Sequence, residues 1–376
     1  MPKQMPSEIV LNGRFLLQDV TGVQRVQREV LAALDEMAAA GDIPTPIVLL
    51  PAQGNIVAEP VLKSIKFTRT GRFSGHLWEQ LELPKLCKGK TLLCLGNTAP
   101  VVSLLSKTTR VVTMVHDLSY KYFPTAYSWK FKAFYSTLIP LVLRKSDAVV
   151  TVSLAEKKAM SRHYPFLAGL SGFHGLQNGG LPDAVATAFL SDGVPDKEQR
   201  GHGIYVGSLS KRKNADSVLR AAVTFLQTYP DMKFVVIGAG SSVFESLSVD
   251  VPEDIKDRLE MWGQINDPLK IYDAFKHARF LVFPSFYEAS PLPPIEAMTL
   301  GCAVVSSSIP SLQERCGDAA VYCDPDDLSS ITAAVDRLMT EPDLWENLSQ
   351  AGRVQAAKYS WKSQTEALLN ICEDVA

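Results

Sequence analysis

Two parallel α/β domains are the architecture this chain predicts, on three observations. Short apolar runs rich in β-branched residues alternate with longer helical patterns, the signature of parallel strands joined by crossover helices. The series occurs twice, on either side of a glycine- and proline-bearing break at Gln177-Asn-Gly-Gly-Leu-Pro182. The length, 376 residues of which 46% are hydrophobic, suffices to bury two cores.

Strands are predicted near 7–12, 46–51, 91–95, 110–115 and 147–152, then near 203–207, 233–238, 279–284, 302–306 and 319–323. The first domain is expected over 1–180 and the second over 183–358. Tyr359-Ser-Trp-Lys then begins a helical pattern, read as a helix over 360–376 capped by Ser360. The near-neutral balance, −2 net, gives no whole-chain pull toward nucleic acid. Six cysteines show no Cys-x-x-Cys pair and no His/Cys cluster, so free buried thiols and a reducing cytoplasm are expected, with no metal site. Neither a signal-peptide core nor an apolar run of about eighteen residues is present, so the expectation is a protein that is soluble or attached to a membrane face.

In chain order, Thr21-Gly-Val-Gln24 opens a helix with a capping box, and Gly22 lets a ligand come close to the backbone, although most capped helices bind nothing. Arg110-Val-Val-Thr-Met-Val-His-Asp117 is an apolar strand whose carboxyl end presents His116 and Asp117, the end where α/β sheets bind ligands. A lone histidine is more often structural. The stretch 119–135 mixes aromatics with Lys121, Lys130 and Lys132 and leaves two readings open, a lipid-interface segment or a core helix with snorkelling lysines.

In the second half, Tyr205-Val-Gly-Ser-Leu-Ser-Lys-Arg-Lys-Asn214 follows a strand and precedes a helix. Arg212 and Lys213 can supply charge for a diphosphate, or can belong to a solvated basic loop. Val235-Val-Ile-Gly-Ala-Gly240 is only a fragment of a dinucleotide fingerprint, and packing explains it as well as ligand contact does. The segment 281–298 carries Glu288 on a loop after a strand and Glu296 in a first helical turn. The helix N-terminus near Leu292, between them, suits a phosphate. Two carboxylates flanking a phosphate site can accept hydrogen bonds from sugar hydroxyls, which suggests a nucleotide sugar.

Pro284, Ser285, Tyr287, Glu288, Leu292, Pro293, Glu296, Ala297, Met298 and Gly301 match a known pattern. Their segment resembles the Glu-x7-Glu element of the retaining family-4 glycosyltransferases. The resemblance covers nearly the whole chain and implies a GT-B fold, two Rossmann-like domains facing a cleft, with the terminal helix returning to the first. It implies a metal-independent enzyme without cofactor that moves a hexose from a nucleotide-diphospho-sugar to a glycan or lipid-linked glycan, forming an α-bond. Glu288 is then expected on sugar hydroxyls, Glu296 on the ribose diol, and Lys213 with Arg212 and Leu292 on the diphosphate. His116 contacts the transferred sugar, and Asp117 orients it or the acceptor. Gly22 faces the diphosphate, Gly263 and Ile265 lie beside the base, and Trp78 and Asn97 stand on the acceptor side. Ser208 occupies a position where many members carry arginine, and Ala289-Ser290-Pro291 replaces Gly-Phe-Gly, with the Ser290 hydroxyl as the candidate substitute donor. A bacterial polysaccharide acceptor at the cytoplasmic face of an inner membrane is the implied setting. A glycan phosphorylase and an inactive sugar-nucleotide-binding scaffold are the alternatives.

Overall fold

The computed structural model describes residues 8–106, 108–239 and 249–375, and these form two compact units. The first comprises residues up to Asn178 together with the segment from Trp361, and the second runs from Gly179 to Ser360.

In the first unit the elements follow as β1 (Ile9–Asn12), α1 (Gly22–Ala40), β2 (Ile47–Pro51), β3 (Phe67–Thr70), α2 (Gly75–Leu81), α3 (Leu83–Leu86), β4 (Thr91–Cys94) and α4 (Val101–Leu105). They continue as β5 (Arg110–Met114), α5 (Ser119–Tyr122), α6 (Trp129–Lys145), β6 (Ala148–Thr151), α7 (Leu154–His163) and β7 (Phe173–Gly175). The seven strands are all parallel, in the order β3-β2-β1-β4-β5-β6-β7. Central strands such as β4 are buried along their whole length, as continuous apolar runs in a sheet covered on both faces must be.

The second unit begins with α8 (Asp183–Phe189), β8 (His202–Val206), α9 (Ala215–Thr228), β9 (Lys233–Ile237), β10 (Leu259–Gly263), α10 (Pro268–His277) and β11 (Ala278–Phe283). It proceeds through α11 (Pro293–Thr299), β12 (Ala303–Ser307), α12 (Pro310–Cys316), β13 (Val321–Cys323), α13 (Leu328–Thr340) and α14 (Leu344–Ala356). Its six parallel strands lie in the order β10-β9-β8-β11-β12-β13. The helix α15 (Trp361–Asp374) packs on α1 and β6 of the first unit.

Three strands lie outside the sequence prediction: β3, β7 and β10. β3 and β10 each expose two adjacent interior residues, and β7 has only three residues, so none forms the long buried apolar run that marks a central strand. All three are sheet edges. The strand order reverses direction between β1 and β4 in one sheet and between β8 and β11 in the other. Such a switch point opens a crevice at the strands' carboxyl ends, where ligands bind.

All six cysteines are free and buried. Among the described residues, no helix is long and apolar enough to cross a membrane.

Candidate functional site

The loops leaving β8 and β11 flank the second sheet's switch point and carry the charged cluster. After β8 a short 3-10 turn, Lys211–Lys213, brings two cations round to the loop after β11. Lys213 Nζ hydrogen-bonds a carboxylate oxygen of Glu288, and Arg212 Nη1 lies 3.4 Å from the other. Arg212 Nη1 also donates to Tyr287 O at 2.9 Å, while Phe286 N donates to Arg212 O at 3.0 Å, so the two loops are stitched together by their backbones. Glu288 is 7% exposed, and Lys213 stands 4.9 Å over the Phe283 ring. Burial holds the Lys213 ammonium below the ordinary lysine range, with Glu288 opposing that drift. The same burial, followed by the Glu288 charge, pushes the Tyr205 phenol upward. Tyr205 keeps its proton and donates it to Ser208 O at 3.0 Å. Ser208 itself is exposed, its hydroxyl 3.4 Å from that of Ser210.

Asn214 closes this arrangement, a role the sequence reading did not assign. Its backbone is left-handed at φ 58° and ψ 41°, a conformation asparagine tolerates better than most residues. Its buried side-chain amide donates to Pro284 O at 3.1 Å and Pro325 O at 2.7 Å. One side chain thus ties the exits of three strands: β8, β11 and β13. Arg315, also unassigned, lies beneath the Glu288–Glu296 loop. It donates to Pro291 O at 3.1 Å and to Gly179 O at 2.7 Å, with its guanidinium 4.5 Å from the Tyr359 ring centre. Burial lowers its pKa to about 10, so it stays cationic at neutral pH, and Glu296 is among the charges that support it. A buried arginine bonded to backbone carbonyls leaves no motif; Asn214 could have been noticed as a polar residue opening a helix directly after the basic turn.

The helix N-terminus expected to hold phosphate needs correction. α11 is only seven residues long and begins Pro293-Pro294, which contribute no N–H. Ile295 N and Glu296 N both donate to Leu292 O at 3.0 Å. From Ala289 to Pro294 only Ala289, Ser290 and Leu292 own a backbone N–H, since Pro291 also lacks one. Ser290 and Leu292 are 9% and 6% exposed, respectively. Glu296 is buried to 1%, and the Glu288 carboxylate joins the cations Lys213 and Arg212. Gly263 ends β10 with φ 66° and accepts from Gly238 N at 2.8 Å, while Ile265 packs partly on the core. At Gly238 packing decides the residue, because a Cβ there would strike the Gly207 carbonyl. Gly240 lies outside the described residues.

The first unit's sheet presents a different cluster. His116 follows β5 and is 4% exposed. Its Nε2 lies 2.7 Å from Leu95 O; a carbonyl only accepts, so Nε2 carries hydrogen and Nδ1 is left as an acceptor. Burial keeps the imidazole below its ordinary pKa, hence neutral at pH 7. Asn97, left-handed at φ 64°, accepts from His116 N at 2.7 Å through its side chain and donates from its backbone to Met114 O at 3.0 Å. Asn97 and His116 are therefore one assembly. Asp117 is half-buried and accepts from Ser119 N at 2.9 Å, ordering the turn into α5. Gly22 starts α1 where a Cβ would meet nothing within 4 Å, so the protein's own packing does not demand glycine there.

Trp78 is a correction. It is fully buried in the first core and donates its indole N–H to Thr70 O at 3.0 Å, so it supports the sheet rather than facing an acceptor. Its neighbour Glu79 is the polar member of that turn. It accepts from Asn12 at 2.7 Å and Thr98 at 3.1 Å, contacts His76 at 3.0 Å, and lies 3.5 Å from Arg14. Burial raises its pKa, but the His76 hydrogen bond and the Arg14 charge outweigh this and hold the carboxyl below its usual range.

Two α/β units with parallel sheets and strand-order reversals define a protein of the GT-B fold class. Comparisons with known proteins agree. Residues 193–355 match the family model described as Glycosyl transferases group 1. The O-antigen chain mannosyltransferase B of Escherichia coli is 33% identical over 178 residues, 46% of this chain and 45% of that protein. The O-antigen chain mannosyltransferase RfbU of Salmonella typhimurium is 25% identical over 255 residues, 68% of this chain and 66% of that one. The first of these matches thus spans less than half of the relative's own length and the second just under two thirds. Among solved structures, WaaG, a glycosyltransferase involved in lipopolysaccharide biosynthesis, superposes with a TM-score of 0.70 at 16% identity, covering 97% of this chain and 99% of that one. That likeness establishes the GT-B fold. Over residues 193–355, the greater part of its second unit, the chain is similar to the glycosyl transferases group 1 family.

Proposed function

We propose that the chain is a retaining, metal-independent hexosyltransferase. It takes a sugar, mannose on the analogy of the two O-antigen relatives, from a nucleoside-diphosphate donor and adds it in α-linkage to a glycan or lipid-linked glycan. The setting is the cytoplasmic side of a membrane where surface polysaccharide is built. The observation that carries the reading is the Lys213–Glu288–Arg212 cluster at the second sheet's switch point. A diphosphate needs cations to bind and to stabilise its charge as a leaving group, and a carboxylate beside them can accept from sugar hydroxyls. Lys213 and Arg212 bind the diphosphate, with Leu292 N–H as backbone donor and the Ser290 hydroxyl beside it. Glu288 accepts from the sugar and Glu296 from the ribose, while Gly263 and Ile265 border the base. In the first unit His116, neutral, accepts a hydroxyl of the transferred sugar through Nδ1. Gly22 admits the diphosphate, and Asp117 and Asn97 hold the histidine's surroundings. The leaving phosphate assists removal of the acceptor proton during same-face attack.

A thermal-shift screen across nucleoside diphosphates and their sugars tests the reading. One nucleoside diphosphate should raise the melting temperature with concentration, and its sugar conjugate should raise it further. Absence of any shift at millimolar concentrations sinks both the transferase and a binding scaffold. Slow hydrolysis of the stabilising donor, abolished by Glu288→Ala, separates the enzyme from the scaffold.

A further inference from the structure

We propose that Gln27 is a positioning residue for His116, holding in place the Leu95 carbonyl that fixes the hydrogen of the imidazole. The role rests on the reading of His116 as the acceptor of a sugar hydroxyl. Gln27 lies in α1 at 1% exposure, and its side chain crosses to the loop after β4, where Nε2 donates to Leu95 O at 2.6 Å. The His116 ring donates to the same oxygen, its Nε2 at 2.7 Å. A carbonyl oxygen has two lone pairs, and here both are taken. Gln27 therefore acts on the histidine through one shared atom.

Two features set this contact apart from ordinary core packing. The first is an orphaned acceptor: Gln27 Oε1 is buried and has no hydrogen-bond partner among the described residues. A buried acceptor left unsatisfied is destabilising, and an apolar side chain at this point of α1 would fill the space without that cost. The donor end must supply something that packing alone does not. The second feature is the fit at Gly96. A Cβ on residue 96 would stand 2.8 Å from Gln27 Nε2, inside van der Waals contact. Gly96 is not left-handed, so its own torsion does not call for glycine; the room taken by the amide does.

The need for a brace follows from the local chain. Leu95 is followed by Gly96, which places little steric limit on the peptide between them, and by Asn97, left-handed at φ 64°. A carbonyl in such a turn can rotate unless it is held, and a rotated Leu95 carbonyl would release the imidazole N–H. The hydrogen could then move to Nδ1, the atom that is to accept from the sugar. Asn97 holds the backbone N–H of His116 and not its ring. Gln27 supplies the remaining constraint, from the helix that Gly22 opens.

The test uses the ligand-free chain with its histidine rings isotopically labelled for NMR. The wild type should carry the His116 hydrogen on Nε2, in slow exchange with water. Gln27→Met keeps the bulk and loses the donor, so it should speed that exchange about fivefold, the scale of one neutral hydrogen bond. Gly96→Ala should act in the same direction in a chain that keeps Gln27, by pushing the amide off the carbonyl. In transfer assays Gln27→Met should lower kcat about fivefold and leave nucleoside-diphosphate affinity within about twofold. Hydrogen on Nδ1 in the wild type overturns the proposal, and so does native-like exchange in both variants. A lower melting temperature with exchange and kcat unchanged also overturns it, since that is the mark of packing alone. If the wild type binds no nucleotide, the glycosyl-transfer reading falls while the exchange rates still decide the part played by Gln27.

Discussion

At the carboxyl end of the second sheet, two cations share one buried carboxylate; at the same end of the first, a neutral imidazole is held by a carbonyl and an asparagine. The two clusters occupy equivalent ends of similar sheets but are built from opposite electrostatics. A charged cluster can exchange one ion pair for another, so a diphosphate can take over Lys213 and Arg212 while Glu288 turns to hydroxyls. A neutral cluster cannot attract an anion, but it can offer a single lone pair at a fixed position. On the proposed function, the difference assigns binding strength to one region and positioning to the other.

The largest test of this division is Glu288→Ala. Transfer should fall at least about a hundredfold, the scale of losing a group that contacts the reacting sugar. The variant should also melt lower, because it leaves Lys213 buried without its carboxylate, a change that costs about 3–5 kcal/mol when a buried pair is broken. Next in size is the contrast of Lys213→Ala with His116→Ala. Losing a hydrogen bond to a charged group costs about 1.5–3 kcal/mol, so Lys213→Ala should weaken nucleoside-diphosphate binding by roughly ten- to a hundredfold in calorimetry. His116→Ala should lower kcat while leaving that affinity within about twofold. Equal losses in the two variants would erase the distinction between the clusters.

The pH response offers a finer test. Burial depresses the His116 pKa, so the native state resists a proton that the unfolded chain accepts near 6.5. Stability should be full above that value and fall as pH drops through it, a loss that His116→Gln removes. Burial also depresses Lys213, so diphosphate affinity should begin to fall with rising pH earlier than an ordinary lysine would allow, and Lys213→Arg should restore it. The smallest effect is expected between Asn214→Gly and Asn214→Ala. Both lose two hydrogen bonds, but only alanine is strained at φ 58°, so alanine should be less stable by about 1 kcal/mol in chemical denaturation.

The central strands were legible because buried parallel strands are written as unbroken apolar runs, as in Phe280-Leu-Val-Phe283. The edge strands were not: Phe67-Thr-Arg-Thr70 is paired on one side only and has little to bury. Lys213 and Glu288 were readable as charges at strand ends within a known pattern. Trp78 was misread because a tryptophan near a cleft motif and one filling a core look alike in sequence. The start of α11 offers a phosphate fewer donors than an ordinary helix start does, because Pro293 and Pro294 have no N–H. Asn214 and Arg315 act through backbone carbonyls from distant segments, and such partners are set by folding alone.

The prolines around Leu292 have a further consequence. Pro291, Pro293 and Pro294 each fix a backbone torsion, and Arg315 anchors the carbonyl of the first. A proline in a compatible position removes about 0.4–1 kcal/mol of conformational freedom from the disordered chain. A ligand settling against Ser290 and Leu292 thus meets a loop with little disorder left to surrender. The segment gives up amide donors and gains rigidity, so its discrimination among sugars should rest more on shape than on the number of hydrogen bonds.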